Sequence, residues 1–103
     1  MYKVEYLPIA MNDMIEIARY IGIKLANPDA AEKIADLMVS EADKLCELPH
    51  RFKVYTPIKP LKHEYRKLLV KNYIMFYRID ELQKTVTIAR VIYSGRDYYK
   101  LLD

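Results

Sequence analysis

The sequence predicts an α+β fold with the element order β-α-α-β-β-β. Residues 73–80 and 85–93 are rich in β-branched and aromatic side chains and are joined by a short polar connection, which is typical of a β-hairpin. Residues 2–7 alternate at period two, and residues 9–48 contain two apolar stripes at helical spacing. Because both kinds of element have an apolar side to bury, the two helices should cover one face of a small, mainly antiparallel sheet.

The first strand and the first helix meet at Pro8. We expect Tyr2, Val4 and Tyr6 to share one face of the strand, which Pro8 ends. From Ile9 the spacing becomes helical, and the apolar positions are Met14, Ala18, Ile21 and Leu25. This helix should stop near residue 27, since a proline disfavours helical geometry in the residue before it.

Asn27 and Pro28 predict the start of a second helix, as its N-cap and first helical residue. Its apolar stripe consists of Ala31, Ile34, Ala35, Met38, Ala42 and Leu45, and it runs to Leu48 before Pro49. The two helices should therefore form an antiparallel hairpin whose stripes belong to the core.

Residues 49–62 contain three prolines and little periodicity, which predicts a crossing loop with room for a short strand near residues 52–55. Residues 64–71 read as the next strand, and Asn72 suits positive φ in the tight turn that follows. Gly95 should permit a sharp change of direction after the hairpin. The end of the chain is expected to form one helical turn capped by Asp97.

Arginines interrupt the apolar pattern of the hairpin. Arg78 follows Ile74 and Phe76 at period two, and Arg90 follows Val86 and Ile88. If the helices cover one face of the sheet, the opposite face and one edge should stay open. We expect Arg66, Arg78, Arg90 and the tyrosines to gather there.

Length and composition describe one domain spanning residues 1–103, which is enough chain to bury a core. No apolar run approaches the roughly 20 residues that cross a bilayer, and the first residues lack the pattern of a signal peptide, so a cytoplasmic location is expected. Cys46 is the only cysteine and there are two histidines, a poor ligand set. We expect no metal and no other cofactor.

The two halves of the chain differ in charge. Residues 1–49 hold 5 Lys/Arg and 9 Asp/Glu, whereas residues 50–103 hold 12 and 5, so the halves carry −4 and +7. Seven of the ten tyrosines lie in the basic half. Basic side chains interleaved with aromatic ones suit a nucleic-acid surface that contacts phosphates and stacks on bases. A soluble sheet with a charged outer face explains the same charge distribution equally well.

Three segments resemble the RelE/ParE superfamily of toxins from type II toxin–antitoxin modules. Residues 65–70 resemble the second strand of that family, and Tyr73–Asp80 resembles its third, where Tyr, three residues, Tyr, Arg and Ile are usual. Arg90-Val91 followed by Arg96-Asp97 resembles the ParE-type ending. The similarity covers nearly the whole chain and implies the same α+β fold.

One function that the resemblance implies is ribosome-dependent cleavage of mRNA without a metal. The catalytic candidates are then Arg66, Arg96 and Tyr93, which would stabilise charge on phosphorus and transfer protons. Further candidates for contact with RNA or another target are Lys62, His63, Lys67, Arg90, Tyr98 and Tyr99. Two departures stand out: Tyr93 replaces a histidine of many ParE-like members, and Leu69 aligns with a catalytic arginine of the RelE-type nucleases.

The second function is that of a ParE-like poison that binds DNA gyrase and traps its cleaved complex. The ParE-type ending favours this hypothesis, and so does the incomplete acid–base set, because a poison of this kind needs a protein-binding surface and no proton-transfer pair. A third possibility is an inactive toxin-like scaffold.

Each toxin hypothesis implies a cognate antitoxin as partner. We expect an acidic, amphipathic antitoxin segment that wraps the toxin and covers the basic sheet face or the helical hairpin, because a chain that folds on binding buries a large surface. The basic half of the chain is better suited to attract it than the acidic half.

Overall fold

The computed structural model describes residues 1–103 and confirms the α+β fold and the predicted element order. The strands are β1 (Lys3–Tyr6), β2 (Arg66–Val70), β3 (Tyr73–Asp80) and β4 (Thr85–Tyr93). The helices are α1 (Pro8–Arg19), which continues as a π-helical turn (Tyr20–Lys24), and α2 (Pro28–Asp43), which ends in a 3-10 turn (Lys44–Cys46). A last 3-10 turn spans Tyr99–Leu101. No helix has both the length and the apolar character needed to span a bilayer.

The four strands form one mixed sheet in the order β1-β4-β3-β2. β1 runs parallel to β4, whereas β3 pairs antiparallel with both of its neighbours. A tight turn cannot connect two parallel strands, so the chain needs a long connection between β1 and β4. The helical hairpin is part of this connection.

The helical hairpin begins and turns at prolines. Pro8 occupies the first turn of α1, where its missing N–H costs nothing, and Asn27 caps α2 by accepting a hydrogen bond from the Ala30 amide at 3.1 Å. A Cβ added to Gly22 would lie 3.4 Å from the Cβ of Ala31. The two helices therefore approach each other closely at the turn.

The main core lies between the hairpin and what we call the helix side of the sheet. Tyr2, Val4 and Tyr6 all pack against it, as their alternation predicts. Its fully buried members are Ala10, Ile34, Met38, Ala42, Leu45, Leu68, Val70, Met75, Tyr77, Val86, Ile88 and Val91. The stripe of the second helix is therefore core, and Met14 and Ile21 of the first stripe pack against it, whereas Leu25, predicted as part of the same stripe, is exposed.

A β-bulge in β4 changes which side chains face the helices. Phe76 pairs with Arg90 and Tyr77 pairs with Ile88, which leaves Ala89 as an extra residue. One inserted residue reverses the alternation, so Arg90 does not share the face of Ile88 and lies on the side opposite the helices, where it was expected. The expectation that Arg66 lies there too is wrong, because Arg66 pairs with Tyr77 on the helix side.

The opposite, outer side of the sheet is not open over its whole length, which corrects a second expectation. Tyr65, Ile74, Phe76, Ala89, Ile92 and Leu102 form a second buried cluster there. Residues of the crossing loop and of the C-terminal segment cover it, among them Tyr55, Leu61 and Tyr98. Only the half nearer the β3–β4 turn remains an open polar trough, of about 740 Å³, which contains Glu5, Arg78 and Thr87.

The crossing loop adds a fragment of edge strand to β2. Val54 forms a single bridge with Arg66, where the Tyr55 amide donates to the Tyr65 carbonyl at 2.7 Å and the Lys67 amide donates to the Lys53 carbonyl at 3.1 Å. The possible strand near residues 52–55 is thus reduced to one bridge.

Two details of the turns differ from the sequence predictions. The residue with positive φ in the β2–β3 turn is Lys71 (φ 54°) and not Asn72. The chain does turn at Gly95, as predicted, and the Arg96 amide donates to the Tyr93 carbonyl at 3.1 Å across this turn, although Gly95 has no positive φ. Asp97 does not cap the last turn, and its carboxylate instead lies 3.8 Å from Lys100.

Candidate functional site

Arg66 and Tyr77 anchor the start of the crossing loop on the helix side of the sheet. Nη1 of Arg66 donates to the carbonyls of Phe52 at 2.7 Å and His50 at 3.2 Å, and the Tyr77 hydroxyl donates to the Pro49 carbonyl at 2.6 Å. Burial raises the pKa of Tyr77. The sequence-predicted catalytic Arg66 therefore holds a loop in place in this structure.

Lys67 points to the outer side, where it is enclosed by aromatic rings. Its ammonium lies 5.6 Å from the ring centroid of Tyr98 and 5.8 Å from that of Tyr55, within the range of cation–π attraction. Phe76 completes the group, with its ring centroid 5.1 Å from that of Tyr98. Lys67 has no carboxylate partner, so its positive charge is available to a ligand.

Tyr55 belongs to the same aromatic group but is not a proton acceptor at neutral pH. Burial, followed by the proximity of Tyr98, Tyr99 and Asp97, raises the pKa of its hydroxyl. A phenol with a raised pKa remains protonated, so it cannot act as a base, but it can still donate or accept a hydrogen bond and can stack.

A groove of about 460 Å³ lies beside Lys67 along the edge of β2. It is lined by both the loop and β2, and it ends at Leu69, which is 62% exposed. We call this region the Lys67 surface and define it as Lys53, Tyr55, Lys67, Leu69 and Tyr98. An exposed leucine beside two lysines and two tyrosines gives it both apolar and basic character.

Tyr93 and Arg96 lie at the end of β4. The Tyr93 side chain is half exposed and packs edge-on against Tyr73, with 6.1 Å between the ring centroids. Because Tyr73 packs on the main core, Tyr93 is on the helix side. The Arg96 side chain is exposed, and its guanidinium makes neither a hydrogen bond nor an ion pair.

Lys62 and His63 are joined to the end of the chain. The carboxylate of Asp103 accepts hydrogen bonds from His63 Nδ1 at 3.0 Å, from the Tyr65 hydroxyl at 2.7 Å and from the Lys62 amide. Burial opposes ionisation of Asp103, but these hydrogen bonds outweigh it and lower the pKa of its carboxyl. Tyr65 has a raised pKa, mainly because of burial and then its bond to Asp103.

Arg90 is paired within the fold. Its Nε and Nη2 donate to the Asp13 carboxylate at 2.8 and 3.0 Å, and its Nη1 donates to the Leu101 carbonyl at 3.0 Å. The two side chains are only 16% and 13% exposed. Arg90 thus connects α1 to the C-terminal segment.

The predicted site residues divide into separate groups. Arg66 and Lys67 point to opposite sides of the sheet. Arg66 pairs with Tyr77 at one position of β3, whereas Tyr93 pairs with Tyr73, four residues earlier in the same strand. Four residues along a strand span about 13 Å, so Arg66 and Tyr93 do not meet. Lys67 and Tyr98 do come together, and Tyr99 follows directly in the last turn.

Sequence reasoning missed two contributors to these groups. Tyr55 lies in a loop without periodicity, and its place beside Lys67 depends on the Val54 bridge. Asp103 gave no signal at all, since its partners are about 40 residues away in the sequence.

One family model matches the chain over most of its length. The model of the ParE toxin of the type II toxin–antitoxin system parDE matches residues 4–98. No curated protein matches the chain by sequence.

Solved structures share the fold at low identity. A chain of the chromosomal ParDE system from P. aeruginosa superposes with a TM-score of 0.72 at 18% identity, covering 90% of this chain and 96% of that one. The archaeal RelE–RelB complex from Pyrococcus horikoshii OT3 gives 0.62 at 15% identity, with coverages of 92% and 97%.

A third structure, the toxin–antitoxin complex RelBE2 from Mycobacterium tuberculosis, gives a TM-score of 0.61 at 25% identity and covers 89% of this chain and 96% of that one. The family model spans nearly the whole chain, and the structures share its sheet and helical hairpin. The chain therefore belongs to the ParE toxin family of type II toxin–antitoxin systems, within the RelE/ParE superfamily.

Proposed function

We propose that this toxin acts as a ParE-like poison of DNA gyrase, with the Lys67 surface as its target-binding region and an antitoxin as its natural inhibitor. The family membership supports the class of toxin. The choice of gyrase rests on the chemistry of the Lys67 surface.

The observation that carries this proposal is the exposed Leu69 at the end of that surface. Leu69 pairs with Ile74 on the outer side of the sheet, close to Lys67 in the same strand. An exposed leucine in the groove that Lys67 and Tyr55 also line gives a protein partner an apolar contact, and it cannot stabilise negative charge on a phosphate.

Ribosome-dependent cleavage of mRNA is the second candidate, and the position of Lys67 favours it. A lysine between two tyrosines, with no carboxylate nearby, has the charge needed to stabilise a pentavalent phosphate and the aromatic neighbours needed to stack bases. Arg96 would add a second cation from the adjoining turn.

An antitoxin is the proposed partner in either case. The P. horikoshii and M. tuberculosis relatives were solved as toxin–antitoxin complexes. The uncompensated positive charge of residues 50–103 supports an acidic partner here too.

Induced expression in a bacterial host tests this function. We expect growth arrest with broken chromosomal DNA and induction of the DNA-damage response, while translation continues at first. Co-expression of the antitoxin from the same module should restore growth.

Two other outcomes would contradict the proposal. Immediate loss of translation with mRNA cut at ribosome-bound positions would establish the nuclease. No growth arrest, from protein shown to be folded and abundant, would favour the inactive scaffold.

A further inference from the structure

A second groove, of about 650 Å³, lies on the helix side of the sheet, between the turn of the helical hairpin and the β2–β3 turn. We call it the hairpin groove. Apolar side chains form most of its lining, and the largest of them are Ile21, Leu25, Ile34, Leu37 and Tyr73. The groove shares no residue with the Lys67 surface, so it is separate from the proposed target-binding region.

The hairpin turn places an apolar protrusion directly beside this groove. The chain changes from α-helix to a wider π-helical turn at Tyr20–Lys24 and then leaves it through Ala26 at φ 50°. Next to this exit, Ile23 is 73% exposed and Leu25 is 56% exposed. Exposed apolar side chains that adjoin an apolar groove mark an interaction surface.

A protrusion beside a groove is the arrangement that a two-fold dimer requires. Both copies use the same patch in such a dimer, so the protrusion of each copy can enter the groove of the other. Ile23 suits this role, because it lies at the border of the groove and is not part of the lining. Leu25, which does line the groove, would be covered by the incoming isoleucine.

The charges at this end of the molecule favour a second copy over an acidic partner. Three lysines and three carboxylates lie here, and none of them forms an ion pair within the chain. An acidic segment would meet the carboxylates as well as the lysines, whereas a second copy brings both signs in equal number. The lysines are Lys24, Lys33 and Lys71, and the carboxylates are Asp29, Glu32 and Asp36.

Helix α2 sets the order of these charges. Asp29 lies four residues before Lys33 and Asp36 three residues after it, so the three exposed side chains share one face of the helix. If α2 of a second copy crosses in the opposite direction about a two-fold axis, Lys33 of each copy can approach Asp29 or Asp36 of the other. The Lys67 surface has two lysines and no carboxylate, so it would repel a copy of itself.

We propose that the free protein forms a reversible two-fold dimer through the hairpin groove. Ile23 of each copy fills the groove of the other, and Lys33 and Lys71 face Asp29 and Asp36 across the axis. The groove and its border contain fewer residues than the roughly 20–30 that each side of a standard interface contributes. We therefore expect a weak dimer, with a dissociation constant on the order of 10 μM.

Sedimentation equilibrium of the purified, antitoxin-free, full-length protein tests the dimer. The mass should rise from that of the 12.2 kDa monomer to twice this value as the concentration increases through the dissociation constant. Ile23→Asp places a carboxylate in the apolar contact and should weaken association at least about tenfold. The matched control Leu82→Asp alters a leucine that is 94% exposed in the β3–β4 turn and should stay within about twofold of the wild type.

A charge exchange tests the pairing across the axis. Lys33→Glu/Lys71→Glu and Asp29→Lys/Asp36→Lys each place like charges opposite one another, so each variant alone should dimerise at least about tenfold more weakly than the wild type. An equimolar mixture of the two should regain the association of the wild type, because every contact across the axis then joins opposite charges.

Further controls separate these effects from net charge and from misfolding. Lys59→Glu/Lys100→Glu changes the net charge as much as the variant with two glutamates at the groove does, and it should dimerise within about twofold of the wild type. Thermal unfolding checks the fold of each variant, and Ile23→Ala replaces Ile23→Asp if the latter does not fold.

The proposal is overturned if the wild type has the mass of a monomer at every concentration, or if its dimer withstands both Ile23→Asp and the charge variants. A dimer that only Leu69→Asp disrupts would place the contact on the Lys67 surface. A monomeric wild type that binds the antitoxin of its module less tightly after Ile23→Asp would assign the groove to that partner, against the proposal. None of these results depends on gyrase, so a failure of the proposed target is recognised separately.

Discussion

Asp13 makes three hydrogen bonds that connect α1 to β4 where β1 no longer covers the strand. Its carboxylate accepts hydrogen bonds from Nε and Nη2 of Arg90 and from the Val91 amide at 2.9 Å. The sequence could not assign this role, since Asp13 reads as an ordinary polar position on an amphipathic helix. Its partners are nearly 80 residues away and depend on the bulge at Ala89.

Replacing Asp13 tests that role. Asp13→Ala leaves a mostly buried guanidinium without its carboxylate and a backbone amide without its acceptor, so we expect the free energy of unfolding to fall by about 3 kcal/mol. Urea denaturation measures it. The control Glu16→Ala breaks an exposed pair with Arg19 in the same helix and should cost less than about 0.5 kcal/mol. Equal losses in the two variants would show that Arg90 does not need Asp13.

Tyr77 is the second residue that holds the domain together. Tyr77→Phe keeps the buried ring but leaves the Pro49 carbonyl without its donor, so we expect a loss of about 1–2 kcal/mol. The control Tyr20→Phe changes an exposed hydroxyl that makes no hydrogen bond and should have an effect below about 0.5 kcal/mol. Urea denaturation that found Tyr77→Phe as stable as the wild type would mean that water replaces the lost donor.

At the scale of elements, the strands and helices were predictable and the connections between them were not. Strands β3 and β4 have the predicted bounds, because period-two alternation with β-branched residues is a local property. The N-cap at Asn27 is local as well. The bulge, the Val54 bridge and the burial of Leu102 depend on which distant segments meet, and no pattern in the sequence records that.

The β2–β3 turn provides a test of backbone geometry. Lys71 has a left-handed backbone, which costs an L-residue about 1–2 kcal/mol, whereas glycine adopts it freely. The greater freedom of glycine in the unfolded chain removes part of this gain, so Lys71→Gly should raise the free energy of unfolding by about 0.5 kcal/mol. Lys53→Gly, at a position without positive φ, should lower it by a similar amount. A destabilised Lys71→Gly would contradict the assigned turn geometry.

The C-terminal segment is fastened to the second cluster by Asp103, and this contact should respond to pH. Hydrogen bonds lower the pKa of the Asp103 carboxyl in the folded state. Its contribution to stability is therefore fully present above the pKa of an unfolded aspartate, about 4. This contribution is lost as the pH falls through the lower pKa of the folded state. Melting temperatures should thus show Asp103→Asn less stable than the wild type near neutral pH.

In acid, below the folded pKa of Asp103, the same comparison should show a much smaller difference, because the wild-type carboxyl is then protonated. Asp97→Asn, which alters an exposed carboxylate 3.8 Å from Lys100, serves as the control and should differ little from the wild type at either pH. A destabilisation by Asp103→Asn that persists unchanged in acid would show that the carboxylate charge plays no part.

For the whole molecule, the sheet separates two surfaces with different chemistry. The helix side carries a groove of about 650 Å³ between the hairpin turn and the β2–β3 turn, and the outer side carries the Lys67 surface and a polar trough. Composition predicted the basic and aromatic character of the second half but not its distribution, since Arg66 and Arg90 are used inside the fold. The Lys67 surface offers a target Lys67 with its tyrosines and the exposed Leu69.

The most direct test is a DNA cleavage assay with purified gyrase, supercoiled plasmid, ATP and antitoxin-free toxin, stopped with detergent and protease. We expect linear DNA to accumulate with toxin dose. Leu69→Glu should need at least about tenfold more protein, and the control Leu82→Glu should match the wild type. Absence of linear DNA at every dose, from protein that cuts mRNA in a translating extract, would contradict the gyrase proposal and assign the Lys67 surface to RNA.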